Sequence, residues 1–180
     1  YTASVSTACS SAANALVHAA RLIEAGVADV VLAGGTECLT LFHLNGFHTL
    51  LILDEQPSRP FAVSRAGLNL GEGAAYLVVE SEASMQRRGR QPIARLSGCG
   101  NACDAYHQTA TSPTGEGPFR AMQAALAEAG LKPSDIDYIN AHGTGTPDND
   151  RAEFAAIERL FGTDALPPFS STKPFTGHTT

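Results

Sequence analysis

The stretch "IDYINAHGTGTPDNDRAEFAAIERLFG", residues 136–162, decides the fold. Its opening, "IDYINAHG", reads as a strand running straight into a glycine-rich loop that carries His142. Asp150 and Glu153 then make a D-x-x-E start, close to a capping box, for a helix that buries Phe154, Ile157 and Phe161 and stops at Gly162. Strand, glycine loop and helix in succession are the unit of layered α/β folds, and strand ends are where such folds collect their chemistry.

The same alternation continues outward. "ADVVLAGGTE" (28–37), "AAYLVVE" (74–80) and "IARLSGCGNA" (93–102) read as strands, and "LPPFSSTK" (166–173) as a last strand or edge. Ala13, Leu16, Val17 and Ala20 form the stripe of an amphipathic helix with Gly26 as its stop. Phe119, Met122, Leu126 and Ala129 form another, with Pro118 at its first position and Gly130 at its end. Residues 39–60 are apolar but irregular and read as a helical or loop insertion. The pattern predicts an α/β protein with a largely parallel sheet.

Gross composition narrows the function. The chain has 180 residues and a formal charge of −6, and it lacks a basic cluster, which argues against nucleic-acid and anionic-membrane partners. No apolar run reaches spanning length and no charged-then-apolar leader opens the chain, so a cytoplasmic setting is the default. The four cysteines, Cys9, Cys38, Cys99 and Cys103, are spaced unlike any zinc set, and reduced thiols are expected.

Cys9, in "STACSSA" (6–12), sits at or just before the first helix. There the positive end of the helix dipole favours a thiolate, the reactive form of cysteine. A packed thiol fits the same stretch, since cysteine is among the most buried residue types. Two more segments bear chemistry: "NAHGTGTPDNDRAE" (140–153) around His142 and "SSTKPFTGH" (170–178) with Lys173 and His178. Taken singly, each has a bland reading. A loop histidine is commonly exposed, a lysine solvated, Asp150 and Glu153 helix caps, and Thr144 and Thr146 turn formers. One cysteine with two histidines, all at element ends, fits nucleophilic catalysis with imidazole assistance.

Together, "DVVLAGGTE", "RPF", "GEGAA", "GCGNACDAYHQTA", the His142 segment and "STKPFTGH" resemble the β-ketoacyl-acyl-carrier-protein synthases, the condensing enzymes of fatty-acid and polyketide synthesis. "DAYHQTA" leans toward the elongating type II enzymes. The resemblance implies the thiolase-like αβαβα fold, with residues 1–90 ending an N-terminal half that carries the nucleophile. Residues 91–180 would then be most of a C-terminal half that carries the histidines. It further implies an enzyme of about twice this length, consistent with a duplicated domain, of which the chain is a central piece lacking both ends.

By that resemblance Cys9 accepts the acyl group, His142 and His178 promote decarboxylation of a malonyl thioester, and Lys173 is the active-site lysine. Asp150 and Glu153 match acidic supporting positions, Thr144 and Thr146 match contacts to the pantetheine arm, and Phe47 matches an aromatic residue of the acyl pocket. The resemblance implies an acyl-carrier protein as partner, a homodimer, and no cofactor or metal. Ala62 and Ala66 stand where family members commonly carry Asp, and the segment between Phe47 and Pro60 is shorter than usual. The alternatives are a non-catalytic partner subunit that sets chain length, a cysteine hydrolase, which would leave one histidine without a role, and a thiolase, which needs a cysteine after Cys103.

Overall fold

A computed structural model describes all residues, 1–180. In chain order the elements are α1 (Ser11–Glu24), β1 (Val30–Glu37), α2 (Leu41–Thr49), β2 (Gly73–Glu80), α3 (Glu82–Arg87), α4 (Glu116–Ala129), β3 (Ile139–Asn140), α5 (Pro147–Phe161), β4 (Phe169–Ser170) and α6 (Lys173–Thr176). No helix is long and apolar enough to cross a membrane. The chain forms two compact units. One comprises Tyr1–Cys38, Gly73–Ser97 and Thr179–Thr180, the other Leu39–Glu72 and Gly98–His178.

In the first unit β1 and β2 pair antiparallel from Val30 opposite Glu80 to Glu37 opposite Gly73, and α1 packs on this ladder. Ala19 of α1 and Ala33 of β1 are buried, and the Ala12 methyl lies 3.6 Å from where a Cβ on Gly35 would stand. Small residues thus let helix and strand approach closely. Gly26 ends α1 in the left-handed region (φ 67°), as its stop position predicts. Leu32, Tyr76, Leu77 and Val78 are exposed, so the ladder presents apolar surface.

The largely parallel sheet expected from sequence is corrected here. The long ladder is antiparallel, and the parallel strand pair is the short one of β3 with β4, where Ile139 faces Phe169 and Asn140 faces Ser170; other parallel pairing is limited to isolated bridges such as Leu53 with Leu68. A strand–helix–strand succession reads as a parallel crossover, but the segment between β1 and β2 folds in the other unit and the chain re-enters running backwards. Residues 93–102 form no strand either. Cβ atoms on Gly98 and Gly100 would stand 2.3 and 1.8 Å from the Ala125 and Ala121 carbonyls, so these glycines mark the close passage of an unpaired segment along α4 rather than a ladder.

Ala152, Ala156 and Ile157 of α5 and Leu68 form the buried centre of the second unit. Helices α4 and α5 are tied by the Arg159 guanidinium, 3.8 Å over the Phe119 ring and 2.6 Å from the Glu116 carboxylate. Helix α4 begins at Glu116, two residues before Pro118, and is preceded by its cap Gly115, whose φ of 65° and close approach to the Ala152 carbonyl only glycine tolerates. Pro118 therefore occupies the third helical position, where a backbone N–H would have no intrahelical partner anyway.

Candidate active site

Residues 141–146 link β3 to α5 and form the floor of the site in the second unit. Helix α5 starts at Pro147 with Thr146 as its cap, so the capping-box reading of Asp150 and Glu153 is corrected: both lie inside the helix and reach back over the loop. Glu153 accepts the His142 N–H at 2.6 Å and the Gly143 N–H at 2.8 Å. Asp150, 1% exposed, accepts the Phe61 N–H at 2.7 Å and the Gly145 N–H at 3.2 Å, with Arg65 Nε 3.8 Å away. One helix face therefore holds the histidine loop and the "RPF" turn through two carboxylates. Burial pushes the Glu153 carboxyl above its usual range, while the His142 and Gly143 N–H donors pull the other way.

His142 is fixed from its carbonyl side as well. That oxygen accepts from Lys173 Nζ and, at 3.3 Å, from Ser171 Oγ, which also approaches the Gly143 carbonyl at 2.8 Å. Ser171 carries no signal of this role in the sequence, where "SSTK" reads only as a strand edge. Gly143 takes φ 44°, and a Cβ there would stand 2.6 Å from that of Ser171.

His178, buried, is set by a parallel bridge to Leu70, and Gly71 N–H donates to its carbonyl at 2.9 Å. Its ring lies edge-on to that of His142, with centroids 5.2 Å apart and planes at 89°. The Phe47 ring is 6.2 Å from His178. Nδ1 of His178 is buried without a hydrogen-bond partner. Burial first, then the Lys173 ammonium and the facing His178, bring His142 down to about 3. Burial and then Lys173 bring His178 down to about 4. Both imidazoles are neutral at pH 7.

Lys173 Nζ also lies 3.4 Å from His142 Nδ1. A protonated amine offers only donors, so the contact puts the lone pair on Nδ1 and the proton on Nε2. Thr144 and Thr146 are buried and their hydroxyls meet at 2.8 Å.

Cys9 belongs to the first unit, exposed and immediately before the Ser10 cap of α1. The residue before it, Ala8, takes φ 54°, a conformation that costs about 1–2 kcal/mol for a residue with a Cβ. The elbow is held by Ser11 Oγ donating to the Ala8 carbonyl at 2.6 Å and Asn14 Nδ2 donating to Thr7 Oγ1 at 2.8 Å. None of the four cysteines forms a disulfide.

The N-terminal domain model of the β-ketoacyl synthases matches residues 2–84 and the C-terminal domain model residues 93–180, in the order of that family. The chain belongs to the β-ketoacyl synthase family. It is 44% identical over 179 residues to 3-oxoacyl-[acyl-carrier-protein] synthase 2 of Staphylococcus aureus, with 96% of this chain and 44% of that protein aligned. Among solved structures, the ketosynthase of a type II polyketide synthase in complex with its acyl-carrier protein superposes with a TM-score of 0.95 at 33% identity, covering 99% of this chain and 46% of the other. A ketosynthase in complex with its chain length factor from Xenorhabdus doucetiae gives 0.88 at 42% identity, covering 97% and 41%. The thiolase-like α/β fold class of the ketosynthases is therefore that of this chain, which spans less than half the length of these relatives.

Proposed function

We propose that the protein carrying this chain is a decarboxylating condensing enzyme that joins an acyl group held on Cys9 to malonyl-acyl-carrier protein, yielding a β-ketoacyl-acyl-carrier protein. The observation that carries the reading is the pair of neutral, mutually perpendicular imidazoles, His142 and His178. Decarboxylation leaves the electrons of the broken C–C bond as an enolate, whose oxygen needs donors placed in advance. Neutral imidazoles can donate ring N–H groups there, and the Nε2–H tautomer of His142 presents one.

The cycle has three steps. The Cys9 thiolate attacks the acyl thioester and the carrier thiol leaves. Malonyl thioester loses CO₂ to give the enolate at the histidine pair. The enolate carbon attacks the acyl-Cys9 carbonyl, and the thiolate departs as the ketone reforms. A thiolate suits both roles, nucleophile and leaving group, better than an alkoxide does.

Burial, and after it the Lys173 charge, keeps His142 neutral, and Asp150 and Glu153 hold its loop. Thr144 and Thr146, with hydrogen-bonding capacity left after bonding each other, meet the pantetheine arm, and Phe47 lines the acyl pocket. Residues 1–90 carry the end of an N-terminal thiolase-like half and residues 91–180 most of a C-terminal one, and the working assembly is a cytoplasmic homodimer served by an acyl-carrier protein.

The test is malonyl-acyl-carrier-protein decarboxylation and thiol labelling in the intact protein. His142→Ala and His178→Ala should each cost on the order of 10²–10³-fold in CO₂ release, the scale of a lost oxyanion donor. An acyl-thioester analogue should label Cys9 ahead of Cys38, Cys99 and Cys103. No CO₂ release, with equal labelling of all four thiols, would favour the non-catalytic subunit that sets chain length.

A further inference from the structure

We propose that Asn69 is a positioning residue that couples the two histidine loops and sets the separation of their imidazoles. Its backbone carbonyl accepts the His178 N–H at 2.7 Å, so it forms half of the clamp on that histidine. Its side-chain Oδ1 accepts the Ser58 N–H at 2.7 Å, and its Nδ2 donates to the Asp54 carbonyl at 2.8 Å and the Gln56 carbonyl at 3.1 Å. The partners dictate the amide orientation: an N–H on one side, two carbonyls on the other.

Ser58, 3% exposed, carries the link onward. Its Oγ donates at 2.9 Å to the carbonyl of Thr144, two residues from His142. The route runs from His178 N–H through the Asn69 carbonyl and amide, then Ser58, to the loop of His142, without passing through either imidazole. It has little slack. A Cβ on Gly145 would stand 2.4 Å from Ser58 Oγ and 2.7 Å from the Gly67 carbonyl, and one on Gly71 2.1 Å from the Thr176 carbonyl. Of the twenty side chains, only a short amide supplies one acceptor and two donors at this reach. Leucine removes all three bonds, and aspartate opposes a charge to two carbonyl oxygens.

The inference rests on the reading of His142 and His178 as the decarboxylating pair. It is tested in the intact protein with malonyl-acyl-carrier protein, by measuring decarboxylation and Cys9 acylation separately. Asn69→Leu should lower the kcat of decarboxylation by about tenfold, since small misplacements of reacting groups cost up to ~10²-fold, while KM and the Cys9 acylation rate stay within about twofold. Ser58→Ala should lower the same kcat by about threefold, and the double variant should be no worse than Asn69→Leu, because both interrupt one route.

An unchanged decarboxylation kcat, multiplicative losses in the double variant, or an equal fall in acylation would overturn the proposal. If Asn69→Leu does not fold, Ser58→Ala decides alone, by its kcat-only loss. Should the unmodified protein release no CO₂, the functional reading fails on its own. The coupling is then decided by imidazole NMR, where Asn69→Leu must shift both His142 and His178 ring signals and a shift at His178 alone refutes it.

Discussion

Removing the Glu153 carboxylate is the sharpest perturbation of the histidine loop. Glu153→Ala leaves the His142 and Gly143 N–H groups, now held at 2.6 and 2.8 Å, without their acceptor. A buried donor stripped of its partner costs about 1–3 kcal/mol, so two cost about 2–6. Part of this is recovered because burial already disfavours the ionised carboxyl. A net loss of about 2–4 kcal/mol follows. Glu153→Gln, nearly isosteric, retains one acceptor oxygen but turns an NH₂ toward the second N–H, so it should lose about 1–2 kcal/mol despite unchanged packing. Urea unfolding of the intact protein measures both losses, and malonyl decarboxylation reports whether His142 keeps its place. If Glu153→Gln matches the parent in stability and rate, the two-acceptor account of the loop is wrong. A Glu153→Ala cost below about 0.5 kcal/mol would be equally damaging.

The other predictions concern charge and backbone. In the folded protein His142 and His178 titrate at about 3 and about 4, below the unfolded value of 6.5, so the unfolded state binds more protons in between. Their contribution to stability therefore falls as pH drops through that window, and decarboxylation should hold on the acid side until pH approaches 4. Lys173→Met removes a positive charge that lowers both values, so the acid limb of the pH–kcat profile should move to higher pH; an unmoved or lowered limb would contradict the electrostatic role. Gly145→Ala, at φ 81° and with Ser58 Oγ in the way, should cost about 2–4 kcal/mol in thermal or urea unfolding. A neutral outcome would mean that the loop relaxes.

Periodicity and local motif sufficed for α1 with its Gly26 stop, for β1 and β2, and for the helix that buries Ile157. These depend on neighbours three to eight residues apart, which a linear pattern records. The histidine and lysine segments were also visible, because their residue types and order are themselves the signature of the family.

Pairing direction, the unpaired run at 93–102 and the true work of the two α5 carboxylates were decided in three dimensions. Asp150 resembles a cap in sequence, yet its partner, the Phe61 N–H, lies 89 residues away. Likewise Ser58 meets Thr144 across 86 residues. A D-x-x-E spacing states which groups can accept, but only the closing of distant loops over α5 determines which orphaned N–H groups they satisfy, because a buried donor takes whatever acceptor the fold brings within reach.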